Sequence, residues 1–304
     1  MTSESFLQAL KQRVLLADGA MGTELQRAGL EPGGCGERWN LIHPQRVLAI
    51  QRAYVEAGSD CLITNTFGAS RIMLARHGIA DEVEAIARAG VRIAREAFAG
   101  RPGFVLGDVG PLGGLIEPYG DIAEATARTA LEEQLDALVD AGVDAIIIET
   151  QTSLEELGLA IAAARHAGAP CIIGSLAFDV THEASDLHTM MGVSPEQAAR
   201  FMVDAGVDVL GVNCGSGVDA AWAAKAIGRY RNISDLPTMA QPNAGQPVLE
   251  ELKVVYKQKP EAMARQAEEL LAAGVRVLGG CCGTTTAQIR LFRKLIDTWD
   301  GDQH

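Results

Sequence analysis

Val275-Arg276-Val277-Leu278-Gly279-Gly280-Cys281-Cys282-Gly283-Thr284 passes from an apolar run straight into two adjacent thiols set between glycines. The first four residues have the length and branched content of a buried strand. The same transition recurs along the chain. Candidate strands at Val14–Ala17, Cys61–Thr64, Phe104–Gly107, Ala145–Ile148, Cys171–Gly174, Val209–Val212 and Pro237–Ala240 precede a polar motif each time. Those motifs are Asp18-Gly19, Asn65-Thr66, Asp108-Val109-Gly110, Glu149-Thr150, Ser175, Asn213-Cys214 and Gln241-Pro242-Asn243. Between the strands lie helix-like stretches, among them Pro44–Ala57, Asp81–Ala99, Ile122–Ala141, Leu154–Ala167, Pro195–Ala205 and Pro260–Ala273. Several stop at Ala-Gly, the expected left-handed helix end, and the tag Gly-Ser/Val-Asp then opens the next strand at Asp60, Asp144 and Asp208. Ser153, ahead of Leu154-Glu155-Glu156, reads as an N-cap.

Eight strands alternating with helices predict an α/β (β/α)8 TIM barrel, a single domain over residues 1–304. A doubly wound open sheet is the runner-up, but no Gly-x-Gly-x-x-Gly follows the first strand. In a barrel every post-strand motif lies on one rim, the C-terminal face where active sites form. That rim would bring Cys214 to Cys281 and Cys282.

At 304 residues and 48% hydrophobic, the chain has material for one large core. A net charge of −13 argues against nucleic-acid binding, because a phosphate backbone would be repelled. No apolar run is long enough for a membrane span, and no signal peptide is expected from the polar start Met1-Thr2-Ser3-Glu4-Ser5. Six cysteines are too sparse for a disulfide scaffold and fit a reducing cytoplasm.

Adjacent thiols between glycines are poor core filling, and a disulfide between neighbours is a strained ring. Three thiols at strand ends point instead to a soft metal, Zn2+, with a fourth position open to substrate. Three thiolates on a divalent ion leave a net charge near −1, which suits a substrate thiol better than water. Coordination removes the protonation penalty of a free thiol, about 1–2 kcal/mol at neutral pH. A closed structural site and plain buried thiols are the competing readings. Cys61 and Cys171 read as small core residues, and Cys35 as a loop cysteine near the mouth. Asp18 and Glu149 either brace loops or recognise an ammonium group. Asn65, Asp108 and Asn243 are equally well read as loop braces. His43, His77 and His166 read as surface residues. His182 and His188, flanking Glu183 and Asp186, leave a second metal open.

As an ordered set, Asp18-Gly19-Ala20-Met21-Gly22-Thr23, Asn65-Thr66-Phe67-Gly68, Gly107-Asp108-Val109-Gly110-Pro111, Glu149-Thr150, Val212-Asn213-Cys214, Pro242-Asn243-Ala244-Gly245 and Gly279-Gly280-Cys281-Cys282-Gly283-Thr284 closely resemble the homocysteine S-methyltransferase family. The resemblance implies zinc on Cys214, Cys281 and Cys282, with homocysteine as the fourth ligand through sulfur. It implies a substrate set of Asp18, Gly19, Ala20, Glu149, Ser175 and Asn213. Asp18 and Glu149 would hold the amino group, and backbone N–H groups near Gly19, Ala20 and Ser175 the carboxylate.

The stretch Asn65-Thr66-Phe67-Gly68-Ala69-Ser70-Arg71 is similar to the homocysteine domain of cobalamin-dependent methionine synthase, so methylcobalamin on a separate corrinoid protein is the expected donor. Betaine-dependent members carry tyrosine where Gly68 stands, although Trp39 occupies a matching loop. Betaine and S-methylmethionine stay open as donors. The 178–192 loop departs from the methionine synthase pattern and leaves acceptor identity, or a corrinoid-linked reaction on another substrate, open. A zinc-containing docking subunit of a corrinoid protein and a vicinal-thiol redox protein are the alternatives of other classes.

Overall fold

The computed structural model describes residues 5–181, 186–250 and 253–302. Its strands are β1 (Leu15–Leu16), β2 (Cys61–Ile63), β3 (Phe104–Val109), β4 (Ala145–Gln151), β5 (Ile172–Leu176), β6 (Asp179–Thr181), β7 (Asp186–His188), β8 (Val209–Asn213), β9 (Thr238–Gln241), β10 (Pro247–Glu250), β11 (Lys253–Tyr256) and β12 (Val277–Leu278). Eight of them form one parallel sheet in the order β1-β12-β9-β8-β5-β4-β3-β2, with helices around it. This is the (β/α)8 barrel expected from the sequence.

The two outermost strands of that order, β1 and β2, meet largely through side chains. Asp60 N–H donates to Leu16 O (2.7 Å), Leu16 N–H to Asp60 Oδ2 (2.8 Å) and Ile63 N–H to Asp18 Oδ2 (3.0 Å). Two carboxylates therefore stand in for missing ladder acceptors and close the barrel. Each aspartate of the recurring tag does similar work at the opposite end from the rim. Asp144 accepts from Val105 N–H and pairs with Arg95, while Asp208 accepts from Ile172 N–H and pairs with Arg165. The tag is thus a strand-start clasp. Where the fourth copy reads Arg276, the side chain instead donates to Leu10 O (2.6 Å).

Strand side chains alternate with period two. Leu15, Ile63, Leu106, Ile147, Ile173, Val209, Met239 and Val277 pack inside the barrel, against Phe6 and Leu10 of the helix Phe6–Gln12. Leu16, Leu62, Val105, Ile146, Ile172, Leu210 and Leu278 join the cluster shared with the outer helices. Cys61 and Cys171 belong to the interior cluster, as small core residues should.

Helix ends follow the sequence reading: Gly58, Gly142, Gly168, Gly206 and Gly274 all have positive φ, and Ser153 accepts from Glu156 N–H. The sequence reading did not foresee the antiparallel hairpins β6–β7 and β10–β11. Both sit on the rim side, inserted after β5 and β9. Among the described residues no helix is long and apolar enough to cross a membrane.

Candidate active site

Inward parity carried two residues past the last apolar position reaches Asp108 on β3, Glu149 on β4 and Gln241 on β9. These three line a cavity of about 270 Å3 at the C-terminal mouth. Asp18, Gly19, Ala20, Thr23, Glu37, Phe67 and the three cysteines complete most of its wall.

Loops after β8, β9 and β12 assemble the thiols. Cys214 N–H donates to Gln241 O (3.2 Å), Cys281 N–H to Pro242 O (2.9 Å) and Ala244 N–H to Cys282 O (2.9 Å). The loop after β9 thereby spaces the other two. Cys214 itself lies in the left-handed region at φ 56°, and Gly215 follows at φ 88°. A Cβ on Gly215 would sit 1.9 Å from Phe178 O, so only glycine allows this turn.

The Cys214 and Cys281 sulfurs each lie 4.0 Å from that of Cys282, and all three lie within 4.8 Å of one another. The sulfur–sulfur edge of a tetrahedron with bonds of about 2.3 Å is about 3.8 Å, so the donor set fits a tetrahedral thiophilic ion with small adjustment. Among the described residues this is the one group of three metal-ligating side chains so gathered. His182 and Glu183 lie outside the described residues; Asp186 is bound by Arg229. His43, His77 and His166 are exposed.

Hydrogen bonds from Cys214 and Cys281, with a further one from Tyr256, pull the Cys282 thiol down to about 3. Cys281 is pushed up by its bonds to Cys214 and Cys282. A metal bound by the three sulfurs would displace the protons the cluster shares. Tyr256 comes from β11, and its ring lies where a Cβ on Gly283 would be, 2.2 Å from Cγ.

The wall of the same cavity is also acidic. Burial raises Asp18 well above the usual carboxylate range, opposed by the Ile63 N–H bond. Asp108 is raised by burial and then by Glu149, Glu37 and Asp18. Glu149 is lifted to about 7 by burial and by the nearby Cys214. Asp18 Oδ1, Asp108 Oδ1 and Glu149 Oε2 are buried without a hydrogen-bond partner. Three unpaired acceptors on residues of one cavity, with no lysine, arginine or histidine lining it, suit a cationic ligand group.

The remaining sequence candidates have other duties. Ala20 lines the cavity, but its N–H donates to Thr284 Oγ1 (3.0 Å). Ser175 is fully buried and donates to Asn213 Oδ1 (2.6 Å). Asn213 holds Thr150 through Thr150 N–H to Oδ1 (2.9 Å) and Nδ2 to Thr150 Oγ1 (2.8 Å). Neither Ser175 nor Asn213 is among the lining residues. Their geometry instead supports the bulge between Ile148 and Gln151, where Thr150 has φ 58° and Glu149 is turned into the cavity. Asn65 braces a loop, donating to Gly36 O and Asn40 Oδ1. Cys35 bonds Glu37, which in turn accepts from Gly68 N–H (2.9 Å). Glu37 and Tyr256 do not stand out in the sequence, Gln241 stands there only as part of a rim motif, and Asp108 reads there as equally a loop brace. Inward parity would have found the last two.

Comparison with known proteins agrees with this architecture. Residues 15–296 match the homocysteine S-methyltransferase family, and the chain belongs to that family of enzymes. It is 36% identical over 301 residues to a methionine synthase of Mycobacterium tuberculosis and 34% identical over 300 residues to that of Mycobacterium leprae. Each alignment covers 93% of this chain, but the chain spans only about a quarter of those relatives. The metallated homocysteine methyltransferase MmuM of Escherichia coli shares the fold, at a TM-score of 0.73 and 24% identity, over 94% of this chain and 97% of that one.

Proposed function

We propose that the protein transfers a methyl group to the thiol of homocysteine, giving methionine, with zinc held by Cys214, Cys281 and Cys282. The observation that carries this reading is the presence, in one cavity, of three gathered thiols and three carboxylates with unpaired oxygens. Zinc on the thiolates would supply a position where a substrate sulfur is bound as a nucleophilic thiolate at neutral pH.

The chain's own residues do the rest. Asp18, Asp108 and Glu149 present three acceptors to the three N–H donors of the substrate ammonium. The Ile63 N–H fixes one oxygen of Asp18 and leaves the other without a partner. Glu149, near 7 in the empty cavity, is driven to its anion by the arriving cation. Thr23, with a buried unpaired hydroxyl on the wall, is the side-chain donor available to the substrate carboxylate. Phe67 and Ile63 supply an apolar wall that keeps water from the reacting sulfur.

For the donor we propose methylcobalamin carried by a separate corrinoid protein that meets the barrel mouth. A quaternary ammonium donor such as betaine wants free aromatic faces. Trp39 does not offer one: it is buried, edge-packed on His43 and covered by Arg46 at 5.1 Å. Gly68 is equally occupied, since a Cβ there would meet Glu37 Oε1 at 2.9 Å. Glu37 is, however, a fourth carboxylate beyond what one ammonium needs, and it favours a cationic sulfonium such as S-methylmethionine as the second reading. The protein is expected to work in a reducing cytoplasm, where its thiols stay free.

The test incubates zinc-loaded protein and homocysteine separately with methylcobalamin, S-methylmethionine and betaine, and assays methionine. Turnover with methylcobalamin supports the first reading, turnover with S-methylmethionine the second. No methionine from any donor, despite bound zinc, refutes the acceptor assignment.

A further inference from the structure

A buried side chain helps to join the two halves of the site. Thr284 is fully buried behind the cysteine loop. Its hydroxyl donates to Cys281 O (2.6 Å) and accepts from Ala20 N–H (3.0 Å). Behind it, the Tyr54 hydroxyl lies 3.0 Å from Ala20 O and 3.2 Å from Thr284 O, and Gly280 N–H donates to Asp18 O (3.0 Å). Space for this junction comes from two glycines. A Cβ on Gly280 would lie 2.5 Å from Thr284 Oγ1, and one on Gly19 would lie 2.9 Å from both Thr284 Oγ1 and Tyr54. The loop on one side of the junction carries Asp18; the loop on the other carries Cys281 and Cys282.

We propose that Thr284, backed by Tyr54, is a positioning residue that fixes the span between the cavity carboxylates and the thiol cluster, and so selects the acceptor thiol by chain length. The inference rests on the homocysteine reading above. In an amino-acid thiol, the separation of sulfur and nitrogen is set by the number of methylenes between them. A rigid span therefore favours one length, while a slack one lets cysteine, a methylene shorter, compete. Apart from the Cys281 carbonyl, which the Thr284 hydroxyl and N–H both hold, the thiol loops keep supports from Pro242, Ala244 and Gln241 that do not pass through Thr284. The Thr284 N–H bond survives a change of its side chain. Loss of the junction should consequently act on the substrate more than on the metal.

The experiment uses the full chain and the variants Thr284→Val, Thr284→Ser and Tyr54→Phe. Zinc affinity is read by competition with a chromogenic chelator, and homocysteine and cysteine binding to zinc-loaded protein by calorimetry. Thr284→Val should keep zinc affinity within about threefold while weakening homocysteine about tenfold, the scale of a lost buried hydrogen bond. The preference for homocysteine over cysteine should fall with it, and Thr284→Ser should restore both. Should Thr284→Val not fold, Tyr54→Phe carries the same expectation in direction. Unchanged homocysteine affinity and preference would overturn the proposal. So would a parallel loss of zinc and both thiols, which marks a merely structural residue. Wild-type protein that takes zinc but neither thiol would overturn the homocysteine reading itself.

Discussion

Replacing Glu149 with glutamine should make the protein more stable and worse at binding its substrate. Burial and the nearby Cys214 lift this carboxyl from its ordinary 4.5 to about 7. Holding the anion at a pH above both values costs about 3 kcal/mol relative to the unfolded chain. The sign follows from proton binding. Between roughly pH 4.5 and 7 the folded state keeps a proton that the unfolded state has lost, so stability falls as pH rises through that window.

Glutamine has the same shape and no charge, and its side-chain oxygen can keep the hydrogen bond that the Gln241 amide donates at this position. We expect E149Q to match wild type near pH 4.5 and to exceed it at pH 8 by about 1–3 kcal/mol, a few degrees in Tm for a chain of this size. Homocysteine binding should weaken by at least about tenfold, because one partner of a buried charged pair is gone. Thermal melts of reduced, metal-free protein at pH 4.5 and pH 8, together with calorimetric titration of the zinc-loaded form, read both effects. A variant less stable than wild type at pH 8, or a difference that does not change with pH, would refute the reasoning.

Three further outcomes are expected. Cys281→Ser should reduce bound zinc from about one per chain to well below half, measured by metal analysis after dialysis, and abolish methyl transfer. Gly215→Ala must move Phe178 O out of a 1.9 Å contact and hold alanine at φ 88°; destabilisation of about 2–4 kcal/mol in urea unfolding, with weakened zinc binding, is expected. Asp60→Ala leaves Leu16 N–H without its acceptor and Arg293 without this partner, so unfolding should cost about 1–3 kcal/mol less, with homocysteine affinity of the folded protein little changed.

Much of this molecule was legible before any coordinates. The eight barrel strands were found because each buried run ends in a polar motif, and the barrel rule turned that position into proximity. Cys214 and the 281/282 pair needed no other argument to be placed together. The strand ends were less visible: β4 runs on to Gln151 through a bulge, a register irregularity that no alternation pattern announces. The hairpins were missed because β6 and β7 have three residues each and β10 is exposed throughout. Ser175 and Asn213 show another limit. A residue type at a strand end tells which rim it belongs to, not whether its hydrogen bonds run to a ligand or to a neighbouring strand. Thr284 reads in the sequence only as the end of a motif, since its importance depends on Ala20 and Tyr54, both remote along the chain.

Asp18 has a double attachment that constrains any redesign of the pocket. One carboxylate oxygen fastens β2 to β1 through Ile63, and the other is a bare acceptor at the bottom of the mouth. An engineer seeking a neutral or anionic acceptor thiol cannot simply truncate this side chain, because it acts as a stave-hook for the whole cylinder. Remodelling has to begin at Asp108 and Glu149, whose removal leaves that hoop intact.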